Sequence, residues 1–377
     1  MKQWVGIFPV ILAVACGGSS DDASPGGGGT SSGGAAGNAS GGAAGNASGG
    51  AAGGGGAAGN ASGGAAGGGG AAGSASGGAA GSGGAASDPT TPGPLAIKSY
   101  DGTASVSTTG HSFAVRCYYP TSGGPYPVVL VAHGFQLPPA QYAKTTEHLA
   151  GYGHVACTVD YPAGFTADHL AGAQDLSGAL DFVLAASAAS GNPLSGLVDP
   201  SEVGMMGHSL GGKLSVLAAS LDSRVGAVLG LDPVDTSTLC SPAKCPDASD
   251  KLPLPIPTAF LGETLDATAG LGGQACAPKA DNFETFYAKA SSPSIQVTLE
   301  GANHMSFLDD PSSCGLTCSF CKQATMAQAT ALGITRGYAV SFFERYLKGR
   351  VEYDTWLTGA EAQKKWVATS QIQLVSK

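Results

Sequence analysis

The pattern of apolar and polar positions in the second part of the chain predicts alternating strands and helices. Short apolar runs typical of strands lie at 113–119, 126–132, 154–160, 203–208, 227–231, 257–263 and 294–300. Longer segments typical of helices lie among them, at Ala140–Ala150, His169–Ala189, Leu210–Leu221, Asn282–Ala290 and Ala324–Lys348. This alternation predicts one α/β domain, in which a mostly parallel central sheet carries helices on both faces.

The first 94 residues lack this pattern and divide into a leader and a repetitive segment. Met1–Ala15 carries one Lys and an apolar core that is too short for a stable membrane span. The unit Gly-Gly-Ala-Ala-Gly-Asn-Ala-Ser then occurs at 33–40 and again at 41–48, and such a composition cannot bury a core. We therefore predict a signal peptide over 1–15, a disordered tether over 16–94 and a folded domain over 95–377.

The end of the leader indicates export. Leu12-Ala-Val-Ala-Cys16 resembles a bacterial lipoprotein box, in which the cysteine is acylated and becomes the mature N-terminus. Lipidation of Cys16 would make the membrane a partner and place the protein at the outer membrane or cell surface. An ordinary secretory signal, cleaved after Ala15, is the alternative and would give a secreted protein.

Charge excludes one large class of partner. The chain has 18 Lys and Arg residues against 27 Asp and Glu, a formal net charge of −9, and it has no basic stripe. Nucleic acid is therefore not an expected partner. We expect a monomer that requires no cofactor and no metal ion.

The most informative motif is a Gly-x-Ser-x-Gly sequence between a predicted strand and a predicted helix. Gly207-His208-Ser209-Leu210-Gly211 follows the apolar run at 203–206 and opens the helical segment at Leu210. In that context the serine lies in a tight, strained turn that exposes its hydroxyl, and the following helix directs its N–H groups at the same point. Ser209 is therefore predicted to be a nucleophile.

A serine nucleophile needs a base and an acid that orients the base. Where chain order is Ser, acid, His, His304 is the one histidine downstream of Ser209, and it follows a predicted strand. Asp232 ends the apolar run at 227–231 and is the favoured acid, because Pro233 fixes the chain direction after it. Asp266 and Glu263, after the next strand, remain alternatives.

Two backbone N–H groups are predicted to form the oxyanion hole. One belongs to Leu210, directly after the nucleophile. The other belongs to Phe135, in the His-Gly-Phe turn that follows the apolar run at 126–132. His133 and His208 are expected to brace the site through hydrogen bonds and to take no part in proton transfer.

The chain resembles a known family at these positions. Gly207–Lys213, Leu231-Asp232-Pro-Val, Cys276-Ala-Pro with Asn282–Tyr287, and His304–Asp310 look like the chlorophyllase branch of the α/β-hydrolases. The resemblance runs from about Leu95 to Lys348. It implies an α/β-hydrolase fold and a Ser-Asp-His triad with Asp232 as the acid. Cutinase-like polyester hydrolases share the serine turn but place the acid one strand later.

The cysteines fit an exported protein of this fold. Nine cysteines less Cys16 leave eight, an even number, and an oxidising compartment favours disulfides. In an α/β-hydrolase, the strands that hold Cys117 and Cys157 are neighbours, which predicts one bridge, and Cys240 with Cys245 can close a short loop. The connectivity of the remaining four, Cys276, Cys314, Cys318 and Cys321, stays open. A metal site is the competing interpretation of Cys314, Cys318 and Cys321.

Together these features predict a serine carboxylic-ester hydrolase that forms an acyl-enzyme on an ester outside the cytoplasm. The substrate could be small, lipid-like or polymeric, so a cutinase-like polyester hydrolase and a lipase are alternatives within the class. A non-catalytic surface binding module on a hydrolase fold is the alternative outside it. The segment 233–255 is rich in proline and contains two cysteines, so we expect no large helical lid over the site.

Overall fold

The computed structural model describes residues 86–235, 240–270, 273 and 275–377. The predicted leader, Cys16 and most of the predicted tether lie outside these residues. The strands are β1 (Ile97–Val106), β2 (His111–Pro120), β3 (Tyr126–Ala132), β4 (Val155–Val159), β5 (Val198–His208), β6 (Val225–Leu231), β7 (Thr258–Glu263), β8 (Ser294–Leu299) and β9 (Ile372–Ser376). The helices are α1 (Ala143–Gly151), α2 (His169–Ala188), α3 (Leu210–Leu221), α4 (Phe283–Lys289), α5 (Leu316–Ser319), α6 (Gln328–Tyr346), α7 (Asp354–Leu357) and α8 (Ala360–Ala362).

All nine strands form one sheet, in the order β1-β2-β4-β3-β5-β6-β7-β8-β9. The five contacts between β4 and β8 in that order are parallel, and the outer contacts β1–β2, β2–β4 and β8–β9 are antiparallel. The carboxyl ends of the parallel strands therefore meet along one edge of the sheet, which we call the carboxyl edge.

Side-chain alternation along the buried strands produces two apolar layers. On β3, Val128 and Leu130 face one layer, whereas Val129 and Val131 face the other. Side chains of α2, α3 and α4 complete the first layer, and those of α1 and α6 complete the second. Helices thus cover both faces of the sheet, which confirms the predicted fold class.

The folded contacts begin earlier than the boundary predicted at residue 95. Lys365 Nζ lies 2.7 Å from a carboxylate oxygen of Asp88, and the Tyr152 hydroxyl donates to the Asp88 carbonyl at 2.9 Å. The backbone of Gly93 lies so close to Gly151 that a Cβ on it would approach that backbone to 2.2 Å. Residues 86–94 therefore belong with the domain, a packing that their polar, proline-rich sequence did not indicate.

Two features bear on access to the carboxyl edge and on membranes. Between β6 and β7, the described residues contain one short 3-10 turn, Ser249–Lys251, and no longer helix. Within the described part of the chain, no helix combines the length and the apolar character required to cross a bilayer.

Candidate active site

Ser209 lies at the carboxyl edge, in a backbone conformation that few non-glycine residues adopt. It joins β5 directly to α3 with φ 56° and ψ −120°. The turn is so tight that a Cβ on Gly207 would lie 2.2 Å from the Gly211 carbonyl oxygen, and a Cβ on Gly211 would lie 2.2 Å from that of Ala132. Both glycines of the motif are therefore required by close backbone contacts on either side of the serine.

The predicted nucleophile, base and favoured acid come together in one hydrogen-bonded line. His304 begins a 3-10 turn, His304–Phe307, that follows β8, and its Nε2 lies 2.9 Å from Ser209 Oγ. Its Nδ1 lies 2.6 Å from Asp232 Oδ2. With the proton on Nδ1 donated to Asp232, Nε2 is free to accept the serine hydroxyl proton. All three residues are nearly or fully buried.

Asp232 reaches the imidazole because the chain turns sharply after β6. Its φ is +43°, and its N–H donates to the Leu261 carbonyl on the neighbouring strand at 2.6 Å. The segment that follows is held against α3, where Lys213 Nζ donates to the Asp235 carbonyl at 2.8 Å and lies 3.2 Å from its carboxylate. This buried ion pair fixes the chain immediately after the acid.

The two alternative acids bond to backbone N–H groups, and neither is bonded to the imidazole ring of His304. Asp266 Oδ2 accepts the backbone N–H of His304 at 2.8 Å, and Asp266 Oδ1 accepts that of Lys322 at 2.8 Å. Glu263 Oε2 accepts the backbone N–H groups of Leu265 and Asp266. Asp266 is fully buried and is held in place by these two contacts.

The two predicted oxyanion donors flank the serine. Leu210 is the first residue of α3, where an N–H has no partner within the helix. The turn that precedes Phe135 lies against the nucleophile, because a Cβ on Gly134 would be 3.4 Å from Ser209 Cβ. The N–H of Gln136 donates to the Ala163 carbonyl. Gln136 has a φ of 53°, so the chain turns directly after Phe135.

His133 and His208 act as braces. The two ring nitrogens of His133 lie 2.9 and 3.2 Å from the carbonyl oxygens of Gly134 and Tyr161, so the neutral ring donates to one of them, and the ring stacks on that of Tyr161. His208 Nε2 donates to the His304 carbonyl at 2.8 Å, and its Nδ1 accepts from the Tyr142 hydroxyl at 2.8 Å. Burial lowers the pKa of both imidazoles, so both are neutral near pH 7.

Tyr142 is a site residue that sequence reasoning missed. Its buried hydroxyl accepts the Gly134 N–H at 3.2 Å and donates to His208, which in turn holds the His304 backbone. One phenol thus links the turn at Gly134, which precedes the predicted oxyanion donor Phe135, to the backbone of the predicted base. The residue follows a Pro-rich turn in an ordinary amphipathic segment, so the sequence carried no signal for this role.

Four disulfides occur in the described residues. Cys117–Cys157 joins β2 to β4, and Cys240–Cys245 closes the short loop after β6, in the pairings expected from the sequence. The four cysteines near His304, whose connectivity the sequence left open, pair as Cys276–Cys321 and Cys314–Cys318. A cysteine in a disulfide has no thiolate to offer a metal ion, which argues against the competing interpretation.

A serine in this strained turn, at the carboxyl edge of a mostly parallel sheet, is the arrangement that defines the α/β-hydrolases, and the protein is one of them. The family model described as Chlorophyllase matches residues 91–370, and the chain belongs to that family.

Curated relatives agree with this placement. The chain is 29% identical over 248 residues to Chlorophyllase-1, chloroplastic, of Citrus unshiu, an alignment that covers 62% of this chain and 72% of the relative. It is 27% identical over 242 residues to a bis(hydroxyethyl) terephthalate hydrolase of Streptomyces coelicolor (64% of each chain). It is 28% identical over 190 residues to Cutinase 2 of Thermobifida cellulosilytica (50% of this chain, 63% of the relative). The protein is a carboxylic ester hydrolase.

Proposed function

We propose that the protein hydrolyses esters through an acyl-enzyme formed on Ser209. His304 Nε2 takes the hydroxyl proton as Ser209 Oγ attacks the ester carbonyl carbon, and then gives it to the leaving alcohol. Asp232 holds the ring and stabilises the imidazolium. A water molecule then repeats the sequence on the acyl-enzyme, which releases the acid. The observation that carries the proposal is the Ser209–His304–Asp232 line, with contacts of 2.9 and 2.6 Å.

The N–H groups of Leu210 and Phe135 are proposed to receive the oxyanion. Both lie on turns whose backbone is fixed on either side of Ser209, so they require little rearrangement as charge develops on the carbonyl oxygen. Donors held in advance of the reaction in this way supply a large part of the stabilisation in acyl transfer.

Replacing the nucleophile tests the mechanism. Ser209→Ala should fold normally and lose turnover by on the order of 10⁶-fold, as in other serine hydrolases that lose their nucleophile. Ser201→Ala, an exposed serine near the start of the same strand, is the matched control and should keep full activity. Hydrolysis by Ser209→Ala within tenfold of the parent would overturn the assignment.

Covalent labelling separates this function from that of a non-catalytic binding module. A fluorophosphonate probe should label the parent at Ser209 and leave Ser209→Ala unlabelled. A binding module needs no activated serine, so an unlabelled parent that still binds its ligand would support that alternative.

The substrate proposed is an ester with an apolar acyl group. Phe135 and Phe165 meet edge to face with ring centroids 5.1 Å apart, beside the oxyanion turn, and Phe165 is 63% exposed. A panel that varies acyl length, alcohol size and polymer form would distinguish a small-ester hydrolase, a lipase and a cutinase-like polyester hydrolase. Faster turnover of acetate esters than of every longer or aromatic acyl ester would contradict an apolar acyl site.

We further propose that the domain acts outside the cytoplasm, as a monomer on a lipid-anchored tether. Four disulfides favour an oxidising compartment, and the lipoprotein-like Leu12–Cys16 segment precedes the repetitive residues. Mass spectrometry of the mature N-terminus should find a diacylglyceryl group on Cys16. An unmodified Cys16, or a start at another residue, would contradict the anchor and favour secretion.

A further inference from the structure

Two buried carboxyl oxygens at the catalytic end of the sheet have no hydrogen-bond partner among the described residues. They are Asp232 Oδ1 and Glu263 Oε1. Asp232 directly follows β6, and Glu263 ends β7, the neighbouring strand. The last pair in the register of these two strands is Leu231 with Leu261, so the two acids lie at adjacent strand ends. The Asp232 N–H donates to the Leu261 carbonyl, which holds the two strand ends together.

The second oxygen of each carboxyl group is already occupied. Asp232 Oδ2 takes the imidazole of His304, while Glu263 Oε2 takes the backbone N–H groups of Leu265 and Asp266. If both carboxyl groups were ionised, two unpaired oxygens of like charge would lie buried at adjacent strand ends. Such an arrangement is costly, because burial removes both charges from bulk solvent and places like charges near each other.

The charged groups around Glu263 favour its neutral form. The carboxylates of Asp232 and Asp266 face it, and the nearby ammonium of Lys322 is engaged by the Leu265 carbonyl and the Thr268 hydroxyl. Burial first, and then the charge of Asp232, raise the pKa of Glu263 to about 8. Burial also raises the pKa of Asp232, but its hydrogen bond to His304 opposes that rise, so Asp232 is the member that ionises.

We propose that Glu263 is a positioning residue for the triad, which carries a proton at neutral pH and donates it from Oε1 to Oδ1 of Asp232. The proposal rests on the triad described under the proposed function. Asp232 is then held by two hydrogen bonds, one to each oxygen, and its plane is fixed relative to the imidazole. The proton remains on Glu263 throughout the reaction, so Glu263 adds no negative charge beside Asp232.

A proton held in this way links stability to pH with a defined sign. The pKa of Glu263 is about 8 in the folded protein and near its ordinary 4.5 in the unfolded chain, so between these values the folded state binds the extra proton. Its contribution to stability is therefore complete below about pH 4.5 and is lost as pH rises to about 8.

The test compares Glu263→Gln with Glu263→Met in the full chain. Glutamine keeps the shape, accepts the Leu265 and Asp266 N–H groups through its carbonyl, and offers an uncharged N–H to Asp232 Oδ1. It should keep kcat/KM within about threefold of the parent at pH 7, whereas methionine, which offers no donor, should lower it about tenfold or more. The parent should also lose kcat/KM above about pH 8, and Glu263→Gln should lack that step.

Thermal unfolding supplies a readout that does not depend on catalysis. The midpoint of Glu263→Gln relative to that of the parent should rise by about 3 °C or more between pH 5 and pH 8.5, because only the parent loses a proton-linked contribution. A protonated-carboxyl C=O band, present in the infrared spectrum of the parent at pH 7 and absent from Glu263→Gln, should accompany it.

Two results would overturn the proposal. A midpoint difference independent of pH would mean that Glu263 is ionised, and a Glu263→Gln variant as inactive as Glu263→Met would mean that a neutral donor is not what Asp232 requires. The unfolding result does not depend on whether Ser209 is the nucleophile, since it is measured without substrate. Retained activity in Ser209→Ala would instead overturn the triad and with it the positioning role, while the unfolding data would still report whether Glu263 is protonated.

Discussion

The ends of β6 and β7 lie side by side, and each presents a buried aspartate to the same histidine. Asp232 directly follows β6 and binds the imidazole ring, whereas Asp266 lies three residues past the end of β7 and binds the backbone N–H of His304. The comparison teaches that the number of residues between the strand end and the carboxylate decides which atom of the histidine it reaches.

The two aspartates also differ in what else they hold. Asp232 has one oxygen directed at the ring, whereas both oxygens of Asp266 accept backbone N–H groups, from His304 and Lys322. The Asp266 carbonyl accepts a third, from Ala277. Asp266 therefore joins three segments of chain around the base, and its expected contribution is to the position of His304.

Of the two strand ends, the one after β6 is expected to have the larger effect on turnover. Asp232→Asn keeps the shape of the side chain but favours the wrong imidazole tautomer, which in a related triad costs about 10⁴ in turnover. The measurement is kcat on a soluble chromogenic ester, with thermal unfolding as the check on folding. A small loss here, combined with a large loss in Asp266→Asn, would move the acid to the end of β7.

A smaller effect is expected at the end of β7. In Asp266→Asn, the amide oxygen can still accept one N–H, but the amide nitrogen then faces the other donor. We expect a loss of about tenfold in kcat and a destabilisation of about 1–3 kcal/mol, the usual result of leaving one buried donor unpaired. Asp232→Asn, measured in the same assay, is the control. Unchanged stability in Asp266→Asn would mean that Asp266 does not hold the backbone around His304.

The smallest effect on activity is expected from the disulfide that lies next to the backbone partners of Asp266. Cys276 and Cys321 directly precede Ala277 and Lys322, both of which bond to Asp266, and they are 45 residues apart in sequence. Cys276→Ser/Cys321→Ser should lose about 4 kcal/mol of stability in the chain-entropy model and only a few-fold in kcat.

Cys314→Ser/Cys318→Ser is the matched control for that variant. Its bridge lies on the same side of the site but spans four residues, so the same model expects a loss of about 2 kcal/mol. If urea unfolding gave equal losses for the two variants, the longer bridge would not be supporting the Asp266 segment.

Local sequence was sufficient to predict a site residue where its role depends on its neighbours along the chain. The turn at Ser209 follows from its two glycines, and His304 follows from its place after a predicted strand. The residues alone favoured Asp232, which directly follows a predicted strand, but they left Asp266, in the loop after the next strand, as an alternative. Only the positive φ of Asp232 and the backbone contact of Asp266 separate them.

Contacts between distant segments explain what the sequence could not predict. The link from Tyr142 through His208 to the His304 carbonyl joins three separate parts of the chain. The last long helix begins at Gln328 and not at the predicted Ala324, because Thr325 and Met326 donate their N–H groups to the Gly301 carbonyl. Tertiary hydrogen bonds there outweigh local helical preference.

The contacts that residues 88–95 make with the rest of the domain have a practical consequence for how an immobilised enzyme is oriented. They pack on Gly151 and Tyr152, just before the amino end of β4, whereas Ser209 and Asp232 follow the carboxyl ends of β5 and β6. The chain thus enters the domain at the edge of the sheet opposite to the triad. An enzyme immobilised on a bead or electrode through a linker placed before residue 86 would present Ser209 away from the support, without any redesign of the fold.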